Sequence, residues 1–342
     1  MFLKTRLSWA IQLESSNIVS NMNIILATDD NFVQHCCVTI SSILKNNEEV
    51  NLYILSEGLS NQNKDIIASV VDSLNGNAVF CNVPTKIVED FPMPKTASSH
   101  ISIATYYRLF ITELLPIEVE KAIYLDCDIV VKGSLKKLWD TDISEYSLGA
   151  VYQDLGWSDH ENSWSRLGIS RQLGYFNAGV LLINIKRLRQ NAFYAKALDF
   201  IAKHYDSIVS HDQDVLNVLL SEDTMPLECK WNFIPLFMKK NLTKEEFTSR
   251  CKYLEELNSN CFEPIVIHFV SKPKPWQFGC THPYRQEYYK YLKFTPWSEY
   301  KPSFRFKEYY SDVLIPGLKK RIKEYDKFNL IDKFKAVLVG NK

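Results

Sequence analysis

Two aspartates in an otherwise apolar stretch are the residues of this sequence best placed to do chemistry. Residues 122–131 read AIYLDCDIVV, and on an extended strand Asp126 and Asp128 point to the same side while Cys127 points to the other. Buried carboxylates are strongly destabilising unless a cation, a shared proton or a basic side chain compensates them. Taken alone, the pair is most simply a buried ion pair with Lys or Arg, but Mg²⁺ or Mn²⁺ would bind both carboxylates and a substrate phosphate.

The same D-x-D spacing occurs at Asp140/Asp142 and at Asp212/Asp214. The first of these pairs follows the helix-like residues KKLW, which indicates a cap or a turn. Spacing by itself is therefore weak evidence. The buried, strand-like context is what selects Asp126 and Asp128.

A histidine and a lysine later in the chain strengthen the metal hypothesis. His268 ends the apolar run PIVIH and so lies at a predicted strand end, although a lone histidine is more often a core residue than a ligand. Lys274 follows between Pro273 and Pro275, where its ammonium group is well placed to neutralise a diphosphate. Because the sequence has no Walker loop and no GxGxxG, a nucleotide would be held by the metal and by side chains.

The elements that must position these residues alternate between strand and helix patterns. This alternation predicts an α/β fold with a mostly parallel sheet covered on both faces and with ligands at the carboxyl ends of its strands. The predicted strands are residues 23–28, 50–55, 78–83, 147–152 and 179–185, and the predicted helices are residues 38–44, 65–74, 103–115, 189–204 and 211–220.

Composition limits the class of protein. The 342 residues have a net charge of +0 and no nucleic-acid-binding motif, which argues against a nucleic-acid partner. The eight cysteines form no CxxC pair, which favours reduced thiols in the cytoplasm. No stretch approaches the length of an apolar membrane span.

The chain divides into three predicted parts. Residues 1–21 are interpreted as a leader outside the core, and residues 22–296 as the catalytic domain. Residues 297–342 form a helical tail rich in aromatic and basic residues, with eleven Lys and Arg against five Asp and Glu in residues 301–342. The tail is either a solvated helix pair packed on the domain or a segment that docks on anionic lipid.

Seven motifs in order give the chain a family resemblance. It resembles the retaining glycosyltransferases of family 8, close to bacterial lipooligosaccharide galactosyl- and glucosyltransferases. The motifs are ATDDNF (27–32), SIATYYRL (102–109), YLDCDIVV (124–131), LKKLWDTD (135–142), YFNAGVLLIN (175–184), HDQDVLN (211–217) and HFVSKPKPW (268–276). The resemblance implies a GT-A fold, a UDP-sugar donor, and Mn²⁺, with Mg²⁺ as the alternative, bound by Asp126, Asp128 and His268.

The resemblance also implies the residues around the donor and the acceptor. Phe32 stands where the family usually has tyrosine, so ring stacking is kept and a hydroxyl contact is lost, and Ser271 stands where relatives often have glycine. Around uridine and the phosphates, it implies Ala27, Thr28, Asp29, Asn31, Phe32, Cys127, Ser271 and Lys274. Around the donor sugar, it implies Arg108, Asp154, Asn177, Asp212 and Gln213, and on the acceptor side His100 and Trp276.

Retention of configuration normally indicates a carboxylate nucleophile and two displacements. The resemblance places Gln213 at the relevant face, and an amide is a poor nucleophile. We therefore expect front-side attack, in which the leaving phosphate accepts the proton of the acceptor. Asp212 and Gln213 would stabilise positive charge at the anomeric carbon, and Asp214 is the fallback nucleophile.

Three functions are compatible with these residues. The first is transfer of galactose or glucose from a UDP-hexose to a lipid-linked lipopolysaccharide core acceptor, by a cytoplasmic enzyme peripheral to the inner face of the bacterial inner membrane. The second keeps the donor and replaces the acceptor by a glycoprotein or another glycan. The third is a catalytically silent UDP-sugar-binding protein, which the intact chemistry-bearing residues disfavour.

Overall fold

The structure, a computed structural model, describes residues 21–84, 103–153, 166–170, 172–238, 253–259, 262–270 and 272–315. The predicted leader, His100, Asp154, Ser271 and the tail beyond residue 315 therefore lie outside the described residues. The strands are β1 Met22–Ala27, β2 Val50–Ser56, β3 Asn77–Asn82, β4 Lys121–Leu125, β5 Ile129–Val131, β6 Leu148–Gln153, β7 Tyr175–Asn184, β8 Thr224–Pro226 and β9 Val266–His268.

The α-helices are α1 Val33–Leu44, α2 Asn61–Ser73, α3 Ile111–Leu114, α4 Lys136–Trp139, α5 Ile185–Gln190, α6 Phe193–His204, α7 His211–Leu220, α8 Tyr253–Leu257, α9 Arg285–Leu292 and α10 Phe306–Tyr309. Short 3₁₀ helices cover Ile103–Phe110, Tyr205–Ser207, Ser221–Asp223, Cys229–Trp231 and Pro235–Met238, and a π-helical turn, Tyr310–Leu314, follows α10.

A seven-stranded sheet in the order β3-β2-β1-β4-β7-β6-β8 forms the centre of the molecule. Strands β1 to β4 are parallel, β7 is antiparallel to both of its neighbours, and β8 is parallel to β6, so six strands share one direction. Ile24, Ile25 and Leu26 are all buried, as expected for a strand with both faces covered. The predicted mostly parallel α/β fold is confirmed.

The predicted strand over residues 122–131 is wrong in its centre. Strand β4 ends at Leu125, residues 126–128 form a turn, and β5 pairs with β9 in a separate two-stranded sheet, with Ile129 opposite His268. Asp126 and Asp128 are therefore not two residues of one continuous strand.

Helix α1 supplies the hydrogen bonds that this break would otherwise leave unmade. The buried Thr39 hydroxyl lies 3.1 Å from Cys127 O and 2.8 Å from Ile129 O, and Ser42 Oγ accepts the Val131 N–H at 2.9 Å. Buried backbone groups must be paired, so side chains of α1 replace a missing strand. This turn is what brings the two carboxylates to the edge of the sheet.

Two helices also differ from the prediction. Residues 103–110 wind as a 3₁₀ helix and only Ile111–Leu114 is α-helical, which fits the β-branched and aromatic residues of IATYYRLF, poor α-helix formers. The predicted helix over 189–204 is two helices, α5 and α6, separated by Ala192 in the left-handed region at φ +50°.

Residues beyond 296 continue to pack on the domain. Trp297 and Tyr300 pack against a buried apolar cluster that includes Tyr288, Tyr291 and Leu292 of α9. Within the described residues, no helix combines the length and the apolar composition needed to cross a membrane. The division at residue 297 and the lipid-docking tail stay predictions.

Candidate active site

The predicted site residues converge on one edge of the central sheet. Strands β1 and β4 end there, at Ala27 and Leu125, while the antiparallel β7 begins there. Helix α7 packs on β7 with its first turn at the same edge, and β9 brings His268 beside the turn after β4. The edge is the one that parallel α/β sheets use for ligands.

Asp126, Asp128 and His268 form a cluster in which one potential ligand atom from each residue lies within 4.8 Å of the others. His268 Nε2 lies 3.1 Å from Asp128 Oδ1 and 3.7 Å from Asp126 Oδ2. The His268 side chain is 4% exposed, whereas that of Asp126 is 25% exposed, so the cluster is buried on the protein side and open towards solvent.

Each aspartate also has a basic partner. Arg108 Nη2 donates to Asp126 Oδ1 at 2.7 Å, and Lys274 Nζ donates to Asp128 Oδ2 at 2.6 Å. Burial alone would raise the pKa of Asp128, but Lys274 and His268 outweigh burial and lower that pKa below its usual range. The ion pair expected from an isolated motif and the metal-type cluster are therefore both present.

The ion pairs do not satisfy every oxygen in the cluster. Within the described parts of the chain, the donors to the Asp126 carboxylate are Arg108 and Tyr124, and both donate to Oδ1. Among the residues that the structure describes, none forms a hydrogen bond of good geometry with the buried Asp128 Oδ1, although His268 Nε2 lies 3.1 Å away. Unpaired carboxylate oxygens beside an imidazole nitrogen form a donor set suited to Mn²⁺ or Mg²⁺, so the residues present fit a divalent cation.

Gly179 of β7 provides the space for this cluster. A Cβ atom at Gly179 would lie 2.1 Å from His268 Cε1 and 2.8 Å from Asp126 Oδ2, closer than side-chain atoms approach each other. The glycine is therefore required by the approach of two candidate ligands.

Asp212, at the start of α7, is the second buried carboxylate of the site. Arg108 Nε lies 2.8 Å from Asp212 Oδ2 but donates its hydrogen to Thr105 O, at 3.2 Å. Burial raises the pKa of the Asp212 carboxyl to about 7, against the opposing charge of Arg108 and with a further contribution from Asp126. The site thus contains a carboxyl group that titrates near neutral pH.

This raised pKa predicts that Asp212→Asn stabilises the protein when metal is removed by a chelator. Between pH about 4 and about 7 the folded protein keeps a proton that the unfolded chain has lost, so the wild-type free energy of unfolding falls as pH rises through that window. Chemical denaturation at pH 5 to 8 should show an advantage for Asp212→Asn that grows with pH, to a few kcal/mol at most. The exposed Asp199→Asn should show no such trend, and a pH-independent Asp212→Asn difference would contradict the prediction.

Asn177 and Gln213 are joined next to Asp212. Gln213 Oε1 accepts the Ala178 N–H at 3.0 Å and the Asn177 Nδ2 at 3.3 Å. Asn177 Nδ2 also donates to Gln153 Oε1 at 3.1 Å. Both lone pairs of the Gln213 carbonyl are therefore engaged by the protein, which fixes the orientation of this amide.

Asp214 is saturated by protein donors. Its Oδ1 accepts the Tyr175 hydroxyl at 2.6 Å, and its Oδ2 accepts the N–H groups of Val209 and Ser210, both at 2.8 Å, together with Arg166 Nη1 at 3.1 Å. The side chain is 1% exposed. These contacts favour a structural role over that of fallback nucleophile.

The predicted nucleoside residues form the turn between β1 and α1. Asp29 Oδ1 accepts the Asn31 N–H at 2.9 Å, and Asp29 O accepts the Phe32 N–H at 3.1 Å. Thr28 is buried, and the Cys127 thiol donates to Ala27 O at 3.2 Å. The backbone of this turn and the half-buried ring of Phe32 lie beside the carboxyl end of β1.

Trp276, predicted on the acceptor side, packs against this nucleoside turn. Its ring stacks on His35 with centroids 3.6 Å apart and meets Phe32 edge-on at 5.7 Å. His35 is anchored by the Tyr288 hydroxyl, 2.8 Å from Nδ1. Burial lowers the pKa of His35 to about 3, so this imidazole is a neutral part of the aromatic cluster.

Asn232 and Gln153 are polar side chains of the site that were not predicted from the sequence. Asn232 is fully buried and contacts His268, and Gln153 contacts Asn177. The only sequence signal for Asn232 is an isolated polar residue between Trp231 and Phe233. Gln153 ends its strand, and nothing in its neighbourhood separates it from an ordinary surface residue.

The chain is similar to several known proteins over most of its length. General stress protein A of Bacillus subtilis (strain 168) is 33% identical over 283 residues, which cover 81% of this chain and 95% of that protein. Lipopolysaccharide 1,2-glucosyltransferase of Escherichia coli (strain K12) is 27% identical over 316 residues, covering 90% of each protein. The crystal structure of the galactosyltransferase LgtC, in complex with donor and acceptor sugar analogues, matches with a TM-score of 0.70 at 28% identity, covering 84% of this chain and 98% of that chain. Residues 23–280 match the sequence model of Glycosyl transferase family 8, and the chain belongs to that family of glycosyltransferases.

Proposed function

We propose that the protein is a retaining hexosyltransferase that moves galactose or glucose from a UDP-sugar to a lipopolysaccharide core acceptor, with Mn²⁺, or Mg²⁺ in its place, as cofactor. The observation that carries the proposal is the cluster of Asp126, Asp128 and His268 with Lys274 beside it, at the ligand-binding edge of the sheet. Family membership supports a nucleotide-sugar donor.

The charges of the site support a bound diphosphate. The site has two negative charges on Asp126 and Asp128, and a third when Asp212 is ionised. Two positive charges, on Arg108 and Lys274, oppose them. A divalent cation held by Asp126, Asp128 and His268 would turn this balance positive and neutralise the charge that builds on the departing UDP. Lys274, whose ammonium group already lies within the cluster, would contact the same phosphates.

The donor sugar would lie against the first turn of α7. Asp212 is close enough to the Arg108 guanidinium to form an ion pair with it. Its Oδ2 receives no hydrogen bond from any described residue. We assign Asp212, Arg108 and Asn177 to binding the sugar. Asp212 would also stabilise positive charge at the anomeric carbon.

The contacts of the remaining candidates favour front-side attack over a double displacement. Asp214 has both oxygens occupied by protein donors, and the Gln213 oxygen is held by Ala178 and Asn177. Neither side chain can attack without breaking these hydrogen bonds. The leaving phosphate is then the group that accepts the acceptor's proton, and Gln213 fixes the face on which the sugar lies.

The acceptor is proposed to be a lipid-linked oligosaccharide, used by a cytoplasmic enzyme at the inner face of the bacterial inner membrane. The similarity to a lipopolysaccharide glucosyltransferase over nearly the whole of both chains supports this acceptor. The basic and aromatic composition of residues 301–342 supports an anionic membrane surface as a further partner.

A donor panel tests the proposal and the cofactor together. UDP release without acceptor should be measured for UDP-galactose, UDP-glucose, UDP-N-acetylglucosamine and GDP-mannose, with Mn²⁺, with EDTA, and with Mn²⁺ restored after EDTA. We expect turnover of a UDP-hexose that EDTA abolishes and Mn²⁺ restores. Without the metal, Asp126, Asp128 and His268 would hold no cation to neutralise the charge on the departing UDP.

Two results would count against the proposal. Absence of UDP release from every donor in the presence of Mn²⁺ would favour a silent sugar-nucleotide-binding protein. Turnover that continues unchanged in EDTA would show that the enzyme activity does not require a metal.

A further inference from the structure

A chain of three buried amide contacts ends at His268. The Gly179 N–H donates to Asn177 Oδ1 at 2.9 Å, Asn232 Nδ2 donates to the same oxygen at 2.8 Å, and His268 Nδ1 lies 2.9 Å from Asn232 Oδ1. Asn232 is 0% exposed, Asn177 5% and His268 3%. Water therefore does not compete for these groups.

The chain has one consistent set of donors and acceptors. A backbone N–H can only donate, so the Asn177 atom facing Gly179 must be the amide oxygen. The Asn232 atom facing that oxygen must then be the NH₂ group, which turns the Asn232 carbonyl towards His268. Because a carbonyl can only accept, His268 carries its proton on Nδ1, and in the neutral imidazole Nε2 is an unprotonated lone pair.

The other tautomer, with the proton on Nε2, would prevent His268 from binding a cation. A proton on Nε2 would occupy the side of the ring that faces Asp128 Oδ1, 3.1 Å away, and Asp126 Oδ2, 3.7 Å away. His268 would then have no lone pair for a cation bound beside the two carboxylates. The Asn232 carbonyl prevents this by holding the proton on the opposite nitrogen.

The backbone keeps Asn232 in register with His268. The Phe233 N–H donates to Val266 O at 2.8 Å, and the His268 N–H donates to Phe233 O at 3.1 Å. The two residues therefore lie on adjacent extended segments whose separation is set by main-chain hydrogen bonds. The fold therefore fixes the distance between the two backbones, and the hydrogen bond to Asn177 fixes the orientation of the buried Asn232 amide.

We propose that Asn232 is a positioning residue that presets the tautomer of His268 for a divalent cation. The inference rests on the proposed function, in that the cluster of Asp126, Asp128 and His268 is taken to be a cation site. Partners of this kind, which hydrogen-bond the second nitrogen of a ligating histidine, change metal affinity about 10–100-fold when they are removed.

The test uses two measurements on the purified full chain. The first is the ¹⁵N spectrum of the histidine side chains in metal-free protein, with the His268 signals identified by their loss in His268→Gln. The second is the dissociation constant for Mn²⁺, from the electron paramagnetic resonance signal of free Mn²⁺. Wild-type His268 should carry its proton on Nδ1. In Asn232→Leu the proton should move to Nε2, and Mn²⁺ affinity should fall about 10–100-fold.

Two further variants separate positioning from general damage. Asn232→Asp keeps an acceptor opposite Nδ1, so His268 should keep the wild-type tautomer. Asn51→Leu removes a buried asparagine from the opposite end of the sheet, where Asn51 donates to Asn23, and should leave the tautomer and the Mn²⁺ affinity unchanged.

The proposal is overturned if wild-type His268 carries its proton on Nε2, or if Asn232→Leu binds Mn²⁺ as the wild type does. If the wild type binds no Mn²⁺, the proposed cation site fails, while the ¹⁵N spectra still decide whether Asn232 sets the tautomer. If Asn232→Leu does not fold, the wild-type spectrum and Asn232→Asp give the same decision.

Discussion

Replacing Asp128 by alanine is expected to lower Mn²⁺-dependent release of UDP by at least about 10³-fold, equivalent to about 4 kcal/mol of lost transition-state stabilisation. Asp128 joins two other candidate groups of the site, because Lys274 holds one of its oxygens and His268 faces the other. The variant removes a candidate ligand and also leaves the Lys274 ammonium group without its carboxylate, a loss that is itself strongly destabilising in a buried pair.

Asp128→Asn separates these two consequences. The amide keeps the size of the side chain and can still accept a hydrogen bond from Lys274, so the folded state should be less perturbed than in Asp128→Ala. It cannot supply a charged ligand, so both variants should lose Mn²⁺ binding to a similar extent. If Asp128 served only the ion pair with Lys274, Mn²⁺ affinity would be unchanged in either variant.

The second D-x-D pair gives the matched control. Asp140 has the same spacing to its partner as Asp126 has to Asp128, but its side chain is 52% exposed and pairs with Lys136 on the surface. Asp140→Ala should therefore show wild-type UDP release, since exposed pairs of this kind contribute little to stability. Steady-state release of UDP and thermal unfolding should be measured for all three variants. Full activity in Asp128→Ala would remove Asp128 from the site.

The parts of the fold that were predicted correctly are those that local patterns determine. Strand β1, strand β2 and helix α7 are present within a few residues of their predicted bounds, because their apolar residues follow a strand or helix period bounded by polar clusters. The family resemblance predicted Asp126, Asp128 and His268 as one ligand set, and the structure brings them together. The contact comes from the pairing of β5 with β9, with Ile129 opposite His268, and not from a shared edge of the central sheet.

Other parts of the site depend on contacts between residues far apart in sequence. The turn after Leu125 is stabilised by Thr39 and Ser42 of α1, which no pattern in residues 122–131 reveals. The ion pair between Arg108 and Asp126 likewise depends on how the 3₁₀ helix packs against β1, β2 and α7. A sequence window contains a polar residue but not its partner, so buried pairing is decided only by the assembled fold.

Replacing Gly179 by alanine is expected to lower Mn²⁺ affinity more than about 100-fold, a larger effect than the loss of an indirect contact. The added Cβ would lie 2.1 Å from His268 Cε1. The backbone is held in place because Gly179 O accepts the Asp126 N–H at 2.9 Å and the Gly179 N–H donates to Asn177 Oδ1 at 2.9 Å. The φ angle of Gly179 lies outside the left-handed region, so the requirement is for space and not for an unusual backbone. His268 must therefore leave its position, and overpacking of this kind costs about 1–3 kcal/mol of stability.

Gly149→Ala is the control from the adjacent strand. Its Cβ would meet Leu227 Cδ2 at 3.1 Å, the end of a flexible side chain that can shift, so Mn²⁺ affinity should be unchanged and the loss of stability small. A double-mutant cycle then assigns the effect of Gly179→Ala to His268. In the His268→Ala background the added methyl group has room, so Gly179→Ala should cost much less stability there than in the wild type. Equal losses of stability in the two backgrounds would show that the methyl group clashes with atoms other than those of His268. Wild-type Mn²⁺ affinity in Gly179→Ala would show that cation binding does not require the position of His268 beside the two aspartates.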